Sequence, residues 1–298
     1  MKRLMVFLIA STAPLAAVVG AWSGVAVGYS TDQGTAASGA STASAFVPAG
    51  SRAAVAAVAA SEIVTLNTFG ASTAAADVQQ WLGATAGPLR DDIAASASAT
   101  VDRISADGAL ARGTVTDLAF VSFAAPNARV IATVRVDVVP KTGAAASDRR
   151  RLAADLTQTA AGWRLTSLTA IPAGAPRSAV LATDPVVTYA ASVLSRIFSY
   201  GPDSPPVAGP DLEDTAAEQY NALAGVLQAQ IRAQGLTLTT HVVAAGFTSQ
   251  EPNKAQVLAF IDQTSTRHGG SPAVAAGALA LTLRLDAGRW RIVSLTAE

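Results

Sequence analysis

The imidazole chemistry open to this chain rests on two residues, His241 and His268, which stand far apart in the sequence. The first falls on an expected strand and the second in the Gly-rich loop His268-Gly269-Gly270. No HxxxH or HExxH spacing occurs, so the pattern gives no zinc site. The absence of Cys excludes thiolate metal sites, iron–sulfur clusters, disulfides and a Cys nucleophile. No G-x-S-x-G elbow, P-loop or dinucleotide fingerprint is present, so neither Ser–His–Asp hydrolysis nor nucleotide binding has support. What remains is proton transfer by an Asp base with a Tyr or acidic donor in an apolar pocket. The candidates are Asp77, Asp137, Asp155 and Asp262 with Tyr189, Tyr200 and Tyr220. Strand alternation puts Val134, Val136 and Val138 on one face and Asp137 on the other, and Asp262 alternates with Ile261 in the same sense. The expectation is a protein that is not an enzyme, with no catalytic, cofactor-binding or metal-binding residues.

Three further groups invite chemistry and read better as structure. Asp91 and Asp92 are adjacent, about 100° apart on a helix, which suits a solvated first turn beside the helix dipole. Arg149-Arg150-Arg151 reads as a solvated strand edge that discourages pairing, the alternative being contact with anionic headgroups. Trp163 and Trp290 each open a strand after a tight turn and are followed by Arg164 and Arg291. Their recurrence favours structural plugs at the wide end of a bent sheet over lipid contacts.

The elements that must position these residues begin with an apolar run. Leu4–Val27 carries no charge, follows Lys2 and Arg3, and precedes the next basic residue at Arg52. Its length suffices for a bilayer-spanning helix of roughly 20 residues. The positive-inside rule puts the N-terminus in the cytoplasm and the rest outside. A cleaved signal peptide with Leu4–Ala13 as its apolar core is the rival reading. Gly20, Gly24 and Gly28 form a small-residue stripe suited to packing against another membrane helix. Residues 29–50, rich in Ser, Thr, Ala and Gly, read as a flexible linker. With 21 basic and 21 acidic residues, and charged residues only 14% of the whole, the chain lacks the basic excess of a nucleic-acid binder.

The remainder is an internal duplication. Trp163-Arg164-Leu165-Thr166-Ser167-Leu168-Thr169-Ala170 matches Trp290-Arg291-Ile292-Val293-Ser294-Leu295-Thr296-Ala297 at an offset of 127. That offset also superposes Phe120 on Phe247, Ser122 on Ser249, and Ala128–Ala132 on Ala255–Ala259. Over 119–170 against 246–297, 17 of 52 positions are identical, including Trp, Arg and Phe, which Ala-rich composition does not explain. Helical spacing is expected over Ser51–Phe69, Asp77–Leu82, Pro88–Ile104, Asp184–Ser199 and Asp211–Ala233. Strands are expected over Thr114–Phe123, Ala128–Val139, Arg151–Gln158 and Trp163–Leu168, then Thr237–Phe247, Ala255–Thr266, Ala278–Leu285 and Trp290–Thr296. Helices followed by an antiparallel meander make an α+β protein. The expectation is two tandem NTF2-like cones, 51–172 and 177–298, behind an anchor at 1–28.

The stretch Lys254–Thr266, with Phe260-Ile261-Asp262-Gln263-Thr264-Ser265-Thr266 at its end, resembles a hallmark of the Mce-associated membrane proteins of actinobacteria. Asp286-Ala287-Gly288-Arg289-Trp290-Arg291-Ile292 resembles that family's last strand pair, with one inserted residue. Asp77–Leu82 followed by Ala84–Asp91 resembles its helical segment. Copy one has Val136-Asp137-Val138-Val139 where the signature would stand, and the tandem arrangement departs from the single domain usual in that family. The resemblance implies an accessory scaffold that stabilises or assembles an Mce-type lipid importer. Its partners would be the membrane, MCE-family and permease subunits, with a lipid as candidate ligand, no nucleic acid and no cofactor. The alternative is a VirB8-like scaffold of a conjugation or type IV secretion apparatus, which shares the anchor-plus-cone topology; an NTF2-fold isomerase is the third reading.

Overall fold

The computed structural model describes residues 49–175 and 180–298. The apolar run with Gly20, Gly24 and Gly28, and the linker up to residue 48, lie outside them. Among the described residues, no helix is long and apolar enough to cross a membrane.

Helix α1 (Ala49–Leu66) takes up the last two residues assigned to the linker. It buries Val55, Ala59 and Ile63, one residue per turn, and the Asn67 side chain donates to the Ile63 carbonyl at its end. After β1 (Phe69–Gly70) come α2 (Ala74–Ala84) and α3 (Gly87–Asp107). Pro88 lies in the first turn of α3, and Gly108, at φ +65°, closes its last turn through Ile104 O. Asp91 and Asp92 are exposed one turn further in than the first turn expected for them. A four-strand meander follows: β2 (Leu110–Ala124), β3 (Asn127–Val139), β4 (Ala146–Thr159) and β5 (Gly162–Ala170).

The second half repeats the sequence of helices followed by a four-strand meander, with one helix fewer and its short strand ahead of the helices. β6 (Val180–Leu181) leads into α4 (Pro185–Ile197), whose N-cap Asp184 accepts from Val186 N–H. Then come α5 (Asp214–Gln234) and the meander β7 (Thr237–Glu251), β8 (Lys254–Thr266), β9 (Ala273–Asp286) and β10 (Arg289–Ala297). The architecture is α+β and NTF2-like: helices packed on strongly bent antiparallel sheet. The bends have a repeated cause. Register shifts fall at Val115/Asp117 and Phe120/Ser122 in the β2–β3 pair, and at Val242/Ala244 and Phe247/Ser249 in β7–β8, each displaced by 127. An extra residue on one strand increases local twist and bends the sheet.

The two meanders join into one sheet of order β10-β9-β8-β7-β2-β3-β4-β5. The joint is a single antiparallel pair, Phe120 with Phe247. These are the same position of the repeat, so a local two-fold axis passes between them, as in an isologous dimer. The approach is close: a Cβ on Gly246 would lie 2.4 Å from the Phe120 carbonyl oxygen. Each half has its own core beneath its helices, one around Val55, Ile63, Val130 and Leu165, the other around Leu194, Tyr220, Leu281 and Ile292. A third cluster lies between the halves, where the opposite sheet faces meet through Ala119, Ile131, Val243, Leu258, Phe260 and Ala278.

That third cluster corrects the expectation for Arg149-Arg150-Arg151. β4 is an interior strand, paired with β3 on one side and β5 on the other. Arg151 is buried, because the second half covers the face on which it stands. A fragment covering 177–298 retains its own helices and meander but uncovers Val243, Leu258 and Phe260. We expect it to fold and to form a concentration-dependent homodimer through that face. Sedimentation velocity checks this, a strictly monomeric fragment being the contrary result.

Candidate functional site

The most elaborate polar arrangement links the two halves. Arg151 projects from β4 into the joint and donates to three carbonyls: Ile171 (3.2 Å), Pro172 (2.8 Å) and Ile261 (3.0 Å). Its Nη1 lies 2.8 Å from Asp262 Oδ1 on β8, and its guanidinium carbon stands 5.8 Å from the centre of the Phe260 ring. Asp262 Oδ2 accepts from Gly174 N–H at 2.7 Å, in the connection between the halves. Both side chains are under a tenth exposed. The guanidinium therefore ties β4, the connecting segment and β8 together in a site from which water is excluded. Next to Asp262 in sequence, Gln263 donates to Thr240 Oγ1 (3.1 Å), whose hydroxyl donates to Phe198 O (2.7 Å). Asp262 and Gln263, the most distinctive letters of the Phe260–Thr266 stretch, hold the fold together.

The other candidate acids and tyrosines are distributed rather than gathered. Asp77 accepts from Thr73 Oγ1 (2.7 Å) and Gly70 N–H (2.9 Å) near the start of α2. Asp137 lies on the outer sheet face beside Arg135, at 3.3 Å, and Asp155 pairs with Arg129. Tyr220 donates to Ile197 O, and Tyr189 to Asp211 Oδ1 at 2.9 Å. Burial pushes the Tyr200 and Tyr220 phenols up to about 12, and burial together with Asp211 also raises the Tyr189 phenol. His241 stands opposite Asp262 in the β7–β8 register, while His268 follows β8 beside the end of α5. Among the described residues, no group of three His, Cys, Asp or Glu is close enough to hold a metal ion.

Trp163 and Trp290 are half-buried, each packed against the core of its own half. Trp163 lies 5.8 Å from the Phe123 ring. The two Arg that follow them serve different partners. Arg164 pairs with Glu62 on α1 at 3.3 Å, whereas Arg291 reaches Glu213 at 3.0 Å and the Pro210 carbonyl. Around the latter, Arg284 bridges Glu213 and Asp214, and Arg196 joins Asp211, fastening the loop before α5.

Sequence reasoning passed over Glu62, although a lone carboxylate inside the apolar segment Val55–Leu66 was a readable signal. It is buried, and accepts from Leu165 N–H at 3.1 Å, while Leu165 O accepts from Ala86 N–H. Glu62 thus clamps α1 to β5 at the residue that also holds the α2–α3 turn. Burial pushes its pKa from 4.5 up to about 7, against the opposing pull of Arg164 and the Leu165 N–H. The fold therefore favours the neutral acid. That contribution is complete below pH 4.5 and is lost as pH rises to about 7. Glu62→Gln, which mimics the neutral form, is expected to melt with the parent at pH 4 and several degrees above it at pH 8. Melting curves across that range check it; a variant less stable at pH 8 would contradict the assignment.

No family model and no curated protein matches the sequence. Solved structures with similar folds include CagV, a VirB8 homologue of the type IV secretion system of Helicobacter pylori. It is 9% identical and covers 40% of this chain and 96% of its own, at a TM-score of 0.34. An IcmL-like type IV secretion protein of Legionella pneumophila is 16% identical over 42% of this chain and 95% of its own, at 0.35. An NTF2-like protein involved in plasmid conjugation covers 83% of this chain and 96% of its own, with 10% identity and a TM-score of 0.30.

Proposed function

We propose that the chain is a non-enzymatic scaffold, anchored in the cytoplasmic membrane by residues 1–28, whose paired NTF2-like halves engage partners on the extracytoplasmic side. The observation that carries this reading is the Arg151–Asp262 joint. It fixes two similar bodies at one mutual orientation, which is what a protein acting by contact requires. Rigid linkage presents two surfaces at high effective concentration without any new chemistry. The tightly held carboxylates and phenols support the same reading, since Asp77, Asp155, Asp262, Tyr189 and Tyr220 each serve a neighbouring element.

A VirB8-like scaffold of a conjugation or type IV secretion apparatus is the preferred assembly. The anchor-plus-cone topology fits it, and the segment that resembled Mce-associated proteins has a structural use of its own in Asp262 and Gln263. The accessory role beside an Mce-type lipid importer is the second reading, resting on Lys254–Thr266 and Asp286–Leu295. Purification of the tagged native protein in mild detergent separates them by what travels with it. Conjugation ATPase and coupling subunits support the first, MCE and permease subunits the second. Recovery of neither, from membranes where the protein is abundant and folded, overturns the scaffold.

A further inference from the structure

One end of the outer sheet face in the first half is both basic and apolar. Residues directly opposed in an antiparallel ladder share a face, so three rows follow from the register: Thr114, Arg135 and Arg149; then Arg112, Asp137 and Ser147; then Leu110 and Val139 at the tip. Leu110 is 43% and Val139 51% exposed, two of the five exposed large apolar side chains among the described residues. Arg112, Arg135 and Arg149 are exposed too, and Arg135 directly faces Arg149 across the strands. Like charges so placed destabilise a sheet. Asp137 is the one carboxylate in these rows and pairs with Arg135, while Asp148 serves Arg150 from the other face. Lys141 stands just beyond the tip, packed against Gly108.

The second half provides a comparison at the same offset of 127. Leu110 and Val139 correspond to Thr237 and Thr266, and Arg112, Arg135 and Arg149 to Thr239, Asp262 and Ala276. The arrangement thus belongs to the first half alone, the half that follows the apolar run. We propose that this tip rests on an anionic lipid leaflet, with Leu110 and Val139 entering the headgroup layer and Arg112, Arg135 and Arg149 meeting phosphates. An acidic peptide would match the arginines but leave the two apolar side chains in water, whereas a lipid surface accommodates both. Each basic residue close to an anionic leaflet strengthens binding roughly fivefold, which is weak for a free protein. A tether supplies the missing concentration. The proposal rests on the membrane-anchored reading and gives it a defined orientation.

The full chain has no Cys, so Thr114→Cys and Ser98→Cys each provide a unique dye site, the former between the arginines and the latter on exposed α3. The labelled chain is reconstituted into phosphatidylcholine vesicles with or without 30% phosphatidylglycerol, with an acceptor dye on the headgroups. Energy transfer from position 114 is expected to rise in anionic vesicles and to stay low from position 98. The lipid-facing population should fall at least tenfold in 1 M salt and in the R112Q/R135Q/R149Q variant, whose melting temperature is checked in parallel. Equal transfer from position 114 in neutral and anionic vesicles, or unchanged transfer in the triple variant, overturns the proposal. Flotation with neutral vesicles in 1 M salt tests the anchor separately. If the chain does not float there, the anchor fails and takes the tip with it; if it floats there but transfer from position 114 does not depend on anionic lipid, the tip alone fails.

Discussion

Arg151→Ala is expected to lower the melting temperature by about 10–15 °C. The substitution leaves Asp262 as an uncompensated charge in a closed site and removes donors from three carbonyls at once. Breaking one side of a buried ion pair costs about 3–5 kcal/mol, and in a chain of this size each kcal/mol moves the midpoint by about 2–4 °C. Asp262→Asn should cost less, since the amide oxygen can still accept from Gly174 N–H. The informative comparison is the double replacement by Met and Leu at 151 and 262. An apolar pair of suitable volume can recover much of the loss from a buried ion pair, but here the Ile171, Pro172 and Ile261 carbonyls remain unserved. Recovery should therefore be partial. Differential scanning calorimetry reads all three variants, and a midpoint for Arg151→Ala within 2 °C of the parent would show that the joint does not hold the halves.

Gly246→Val is expected to uncouple the halves rather than unfold either. At Gly246 the backbone of β2 comes so close that a Cβ would sit 2.4 Å from Phe120 O, and the atoms in the way are backbone, which no rotamer change can move. The Phe120–Phe247 pair must open for the side chain to fit. Overpacking of this kind costs about 1–3 kcal/mol or more, and the loss falls on the joint, because each half retains its own core. Two resolved unfolding transitions, or faster amide exchange confined to Phe247 and its neighbours, would follow. A single unshifted transition would mean that the sheet is not continuous there. Ala119, the equivalent of Gly246 in the first half, is fully buried.

Within the chain, the duplication carried the architecture. An offset of 127 read from Trp163 and Trp290 and from Phe120 and Phe247, together with the helical and strand spacings, is enough to expect two helical layers and two meanders, because hydrophobic period and turn residues are local properties. Local reading also put Asp137 outside the cone correctly, since alternation along a strand is fixed by the backbone. Side-chain fate on the outer faces was another matter. Arg149 and Arg151 look alike in sequence and share a face, yet only Arg151 is buried, because the second half covers the middle of that face and leaves its end free. A signal of this did exist: Val257-Leu258-Ala259-Phe260-Ile261 is apolar without alternation, the pattern of a strand covered on both faces. It said that something lies over Leu258 and Phe260, but not that the cover is the other half of the chain. Likewise, the membrane-like tip at Leu110, Val139, Arg112, Arg135 and Arg149 draws on three strands, and their register decides which side chains are neighbours. Periodicity determines which face a residue takes; what meets that face depends on contacts more than a hundred residues apart, and those only the tertiary structure decides.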